Sequence, residues 1–147
     1  MDGEEVEAIP IPRAHTDGDT VVRFHVADLL MTGDFYRSEG FPNIDKGNGG
    51  SLIGTIEGLG VVIEMAGPNT KIIPGHGPIV DREAMVAQRD MILAIRDRVA
   101  HLIQQGKTEE EVLAAHPTSD YDAKIPQAAQ TSARFVGQLY AELKAAK

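Results

Sequence analysis

KIIPGHGPIV, residues 71–80, runs from a β-branched apolar stretch into Pro-Gly-His-Gly-Pro and back to apolar chain. Nothing structural requires a histidine between two glycines, whereas glycine lets the backbone turn sharply and leaves room beside an imidazole. His76 therefore reads as a side chain presented at the end of a strand, where a rigid element meets a cleft. Two other ligand-capable residues share that setting: His15 in HTDGD (15–19) and Asp34 in MTGDF (31–35). Each is expected where an apolar strand breaks into a glycine turn. Two neutral imidazoles and one carboxylate suit Zn²⁺, Fe²⁺ or Mn²⁺.

The bulk of the chain narrows the setting for such a site. Its 147 residues fit one domain, 1–147, with a core large enough to need no staple. Hydrophobic residues make up 42% and charged residues 24%, the balance of an ordinary globular protein. With 14 basic against 22 acidic residues the net charge is −8, which disfavours nucleic acid and anionic membranes as partners. The absence of cysteine excludes disulfides, thiolate metal sites and a cysteine nucleophile, so any metal must use His, Asp and Glu. The acidic start MDGEEVEAIP has no apolar leader core, and no window approaches the roughly 18 apolar residues of a membrane span. A cytoplasmic location is expected by default.

Strands are expected to dominate residues 1–80 and helices residues 81–147. VEAIPIP reads as an edge strand that accommodates its prolines, HTDGD as a tight turn with Gly18 at positive φ, and TVVRFHV as a strand. ADLLMTGD reads as a short strand ended by Gly33 and Asp34, followed by a glycine-rich loop over FYRSEGFPNIDKGNGG. Leu52, Ile56, Leu59 and Ile63 recur at helical spacing despite three intervening glycines, and NTKIIPGHGP is a strand leading to His76. From Asp81 a stripe of Met85, Ile92, Ile95, Val99 and Leu102 marks a long helix that Gly106 ends. Thr108 and Glu111 spell a capping box for a short helix, and Phe135, Leu139 and Leu143 lie on one face of a last one. Asp17 and Asp19 read as turn caps, and His25, His101 and His116 as histidines without a chemical role.

The ordered set HTDGDTVVRF (15–24), LLMTGDFY (29–36) and TKIIPGHGP (70–78) resembles the C-terminal half of the metallo-β-lactamase superfamily, in particular its broad group of uncharacterised hydrolases. The loop FPNIDKGNGGS, the helix DREAMVAQRDMILAIRDRV and the tail KTEEEVLAAHPTSDYD resemble that group as well, so the likeness covers most of the chain. It implies an α/β fold: half of an αββα sandwich, a mixed sheet covered by helices on one face. It implies that His15 is a ligand of the first metal, that Asp34 bridges both metals, and that His76 is the last histidine on the second. It also places Tyr36, Arg37, Asn43 and Lys46 where relatives shape a substrate pocket, without naming a substrate. The family's HxHxDH motif has no counterpart, since no His-x-His occurs in the 147 residues. Half of the first shell and the aspartate that positions the attacking water are thus missing, and no residue is assigned as catalytic.

Three arrangements fit half of such a fold. The chain is a piece of a longer hydrolase lacking its N-terminal half, or a homodimer that buries its exposed sheet face and completes the sandwich. The third is a non-catalytic module that keeps relic ligands while its sheet face meets another partner. The expected function is that of a truncated, metal-dependent hydrolase-like protein with an incomplete two-metal site and low zinc occupancy.

Overall fold

The computed structural model describes residues 3–146. Four strands, β1 (Val6–Pro10), β2 (Thr20–Phe24), β3 (Leu29–Arg37) and β4 (Lys71–His76), form one sheet in the order β1-β2-β3-β4. β1, β2 and β3 are antiparallel neighbours, while β3 and β4 run parallel through a crossover that contains helix α1 (Leu52–Met65). Helices α2 (Arg82–Gln104), α3 (Glu109–Ala114), α4 (Ser119–Asp122) and α5 (Ala128–Ala145) follow. The chain is therefore α/β with a mixed four-stranded sheet and helices, an architecture consistent with half of a metallo-β-lactamase-type sandwich.

α1 packs on the sheet, and α2 packs on α1 and α5. The helical periodicity explains why: Leu52, Leu59 and Ile63 of α1, with Met85, Ile92, Ile95 and Val99 of α2, are all buried in one core. α5 adds Phe135, whose ring stacks on Phe41 at 5.6 Å between centroids. The helix ends follow their caps. Asp81 accepts from the Ala84 N–H at 2.9 Å, Gly106 takes φ +80 beyond α2, and Thr108 and Glu111 close a reciprocal capping box on α3. The glycines of α1 have a use that propensity alone counts as a cost. A Cβ at Gly54 would strike the Arg13 carbonyl, so the helix lies directly on the chain leaving β1.

Three expectations change. β3 does not end at Gly33 and Asp34 but runs nine residues through them. Gly33, at φ +61, sits at a break in the β3–β4 register, and the strand resumes because Phe35 and Tyr36 beyond it are buried in the core. Gly18 is not among the positive-φ residues, and β1 and β2 are joined by residues 11–19 rather than by a tight hairpin. The Asp19 carboxylate closes that turn, accepting from the Thr16 N–H at 3.0 Å and the Thr16 hydroxyl at 3.2 Å. The HPTSDYD connection also contains α4, pinned by Arg98, which donates to the Pro117 carbonyl at 2.9 Å and to Asp120 at 2.6 Å.

The sheet has two apolar faces and covers only one. Val21, Leu30 and Ile72 point to the helices and are buried. The alternate positions Val22, Phe24, Leu29, Met31 and Ile73 belong to neither the core nor its margin, and Val6 and Met31 are 45% and 41% exposed. The strand register places these residues together on the outer face, with Lys71 at its corner. No described helix is long and apolar enough to cross a membrane.

Candidate functional site

β3 and β4 are parallel neighbours, and their register brings Asp34 and His76 together at one edge of the sheet. Asp34 Oδ1 lies 3.4 Å from His76 Nε2, and both side chains are more than half exposed. The space is made by glycine: a Cβ at Gly75 would strike the Asp34 carboxylate and the Gly33 carbonyl. His76 is the last residue of β4, and its carbonyl accepts from the Ser38 N–H at 2.9 Å. The Ser38 hydroxyl donates to the Pro78 carbonyl at 2.6 Å, so the chain after β3 and the Gly77-Pro78 turn hold one another. A carboxylate beside an imidazole at a solvent-facing edge offers two hard-to-borderline donors to one ion.

His15 lies in the connection between β1 and β2, half-buried, with Nδ1 2.8 Å from the Asn43 carbonyl. A carbonyl only accepts, so Nδ1 carries a proton, and in the neutral ring this leaves the lone pair on Nε2, the tautomer a metal ligand needs. That brace is itself braced from α5. Gln138 donates to Asn43 Oδ1 at 3.0 Å and accepts from the Ile44 N–H at 3.0 Å. The Asp45 N–H donates to the His15 carbonyl at 2.9 Å. The Asp45 carboxyl is held below its usual range, chiefly by the Asn48 side chain, with further help from backbone N–H groups and nearby His15.

The structure thus joins Asp34 to His76. No group of three or more His, Cys, Asp or Glu positioned to hold a metal occurs among the described residues. The two joined donors fit part of a metal site; a protein zinc site takes three or four.

The four pocket-shaping candidates go different ways. Tyr36 is buried, Arg37 is the strand partner of His76, Asn43 orients His15, and Lys46 lies 3.5 Å from Glu142. Burial foremost, and Arg37 as a like charge, pull the Arg134 pKa down. Asn43 and Gln138 as a support for His15 were not legible in the sequence. A carbonyl brace and a carboxamide 95 residues away leave no local pattern. Of the remaining histidines, His25 pairs with Glu7 at 3.1 Å and His101 contacts Gln105 at 2.9 Å.

This fold is similar to that of solved sec-alkylsulfatase structures. The structure of the stereoselective inverting sec-alkylsulfatase Pisa1 from Pseudomonas sp. matches with a TM-score of 0.75 at 18% identity, over 95% of this chain. A double mutant of the sec-alkylsulfatase PisA1 matches with a TM-score of 0.67, also at 18% identity and 95% coverage. This chain spans about a quarter (24%) of each of those chains. At that identity the likeness is one of fold alone. No protein-family model matches the chain, and no curated protein does.

Proposed function

We propose that this chain carries one side of a metal-dependent hydrolase centre of the metallo-β-lactamase type. Asp34 and His76 are neighbouring ligands in this reading, and His15 is a further ligand from the loop that Asn43 braces. Zinc is the expected ion, with iron or manganese as alternatives. The observation that carries the reading is the 3.4 Å approach of Asp34, at the register break within β3, to His76 at the end of β4, with Gly75 leaving the space. The Nε2-free tautomer of His15 and the fold likeness to sec-alkylsulfatases support it. A bound ion would supply Lewis acidity and an activated water for ester hydrolysis. The described residues offer it an incomplete shell, so weak binding and little turnover are expected of the chain alone.

The open sheet face is where the rest of such a centre would be supplied, and the occupant we favour is a second copy of this chain. A two-fold pairing sets this face against another copy of itself, and its centre, Val22 and Met31, bears no charge to repel a copy lying on the axis.

Titration with Zn²⁺ by calorimetry tests the site. His76→Ala and Asp34→Ala should each weaken binding by at least the roughly tenfold that loss of even an outer-shell partner costs. Their circular dichroism should match that of the parent, because both side chains are exposed. Equal affinity in parent and both variants would remove Asp34 and His76 from any metal site.

A further inference from the structure

A second site lies on the helical side of the sheet. A cavity of about 370 Å³ opens between the end of β3, the first turns of α2 and α4, within the size range of small-molecule sites. Its walls are mostly apolar: Val80, Ala84, Ala87, Met91, Tyr121 and Ile125. Neither Asp34 nor His76 lines it.

Two polar groups stand in this apolar lining. Tyr36 is only 3% exposed as a residue, but its hydroxyl is not among the sealed, unpaired atoms, so it stays open to an occupant of the cavity it lines. Gln88 is 9% exposed and donates Nε2 to the Arg37 carbonyl at 2.9 Å, which fixes the orientation of its carboxamide. Its Oε1 is then left as a buried acceptor with no donor. Asp122 Oδ1, on α4, is the other such atom among the described residues. Buried polar groups are nearly always satisfied, so an unpaired buried acceptor on Gln88, in the lining of a cavity that Tyr36 also lines, points to something that fills it.

We infer that this cavity binds a small, uncharged, largely apolar molecule bearing one amide or hydroxyl group. Such a group accepts from the Tyr36 O–H and donates to Gln88 Oε1, while the apolar body packs on Met91 and Ile125. Charge selects against an anion. A phenol is a neutral donor at ordinary pH, and the nearby Asp81 carboxylate repels a carboxylate ligand. Lys124 at the rim is exposed, and solvent screens it. Ser38 lines the cavity and also holds the His76 and Pro78 carbonyls, so an occupant touches the support of the candidate metal edge. The inference does not depend on a metal binding there.

The experiment is a titration of the chain, methyl-labelled at methionine, with benzamide, benzyl alcohol, toluene and benzoate, read at the Met91 methyl resonance. Benzamide and benzyl alcohol should saturate the shift, toluene should bind about fivefold more weakly for want of a hydrogen bond, and benzoate weaker still. Tyr36→Phe should narrow the gap between benzamide and toluene by removing one of the two hydrogen bonds, and Gln88→Met, which removes the other, serves the same purpose if the first variant does not fold. Ala87→Trp, at an exposed position on the cavity mouth, should abolish every shift while keeping the parent's circular dichroism. Equal binding of toluene and benzamide to the parent, tighter binding of benzoate, or no shift with any probe would each overturn the proposal.

Discussion

Glu142 lies on the last helix yet governs the first. Both of its carboxylate oxygens accept from the Leu52 N–H at 2.9 Å, and Oε1 also accepts from the Ser51 hydroxyl at 3.1 Å. α1 has no acidic residue in its own first turn, so this carboxylate, 15% exposed, is the negative charge at its positive end. A charge-assisted hydrogen bond contributes about 1.5–3 kcal/mol, and the helix-terminus interaction about 0.3–1 kcal/mol. Lys46, 3.5 Å away, is 40% exposed and adds little through solvent. Glu142→Ala should therefore cost about 3 kcal/mol, because it also strands the N–H of the buried Leu52. Glu142→Gln keeps one acceptor oxygen and should cost about half as much. In a domain of this size the alanine variant should melt roughly 6–12 °C lower. Urea unfolding followed by circular dichroism, with an unchanged slope, is the assay. An alanine variant within about 0.5 kcal/mol of the parent would refute the reasoning, since that is the range of an ordinary surface substitution. The effect should reach the candidate site as well: the Ser51 N–H donates to the Ala14 carbonyl at 2.9 Å, beside His15.

Tyr36 should make the fold alkali-sensitive. Its pKa is raised from 10.0 to about 12, chiefly by burial, so between those values the folded chain keeps a proton that the unfolded chain has lost. Stability is then full below pH 10 and falls by roughly 2.7 kcal/mol as the pH rises to about 12, at 1.36 kcal/mol per unit. Tyr36→Phe should flatten that limb of the pH–stability curve, and an unchanged slope would reassign it to other groups. Met31→Lys, on the open sheet face, should convert a two-copy species into a single chain by light scattering, with the helical signal kept. A parent that already runs as a single chain would defeat the proposed pairing.

The parts of this fold that were legible in the sequence are those set by neighbours within one or two turns. The Met85–Val99 stripe and the Thr108–Glu111 box depend on residues three to seven apart, so periodicity and capping chemistry expose them directly. Gly33 misled because a glycine before an aspartate serves equally well to end a strand or to bulge it. What decided between them was the burial of Phe35 and Tyr36 against helices that come later in the chain. The three glycines of α1 looked like a weakness for the same reason. The Arg13 carbonyl that requires one of them lies 41 positions earlier. At the candidate site, glycine neighbours marked Asp34 and His76, which were read together with His15 as one set, and the structure sets the first two side by side. The Asn43 carbonyl that sets the tautomer of His15 is a backbone group, and a backbone group has no letter of its own.

The two-faced sheet bears on why the site is partial. A sheet that meets water on one side alternates apolar and polar residues, whereas one buried on both sides reads as nearly continuous apolar chain. Between Leu29 and Thr32 the sequence is LLMT, and between Lys71 and Pro74 it is KIIP. Both are the pattern of an inner layer, yet helices cover only the side of Leu30 and Ile72. Asp34 and His76 stand at the edge of that same sheet, exposed, and short of the further donors a metal requires. Under the proposed function a single missing layer answers both deficits. Packed on Val22, Met31 and Ile73, it would reach the rim where Asp34, at the break in β3, meets His76 at the end of β4. The apolar face and the incomplete ligand set therefore stand or fall together: a partner that covers the face without adding a ligand at this edge would leave the hydrolase reading without support.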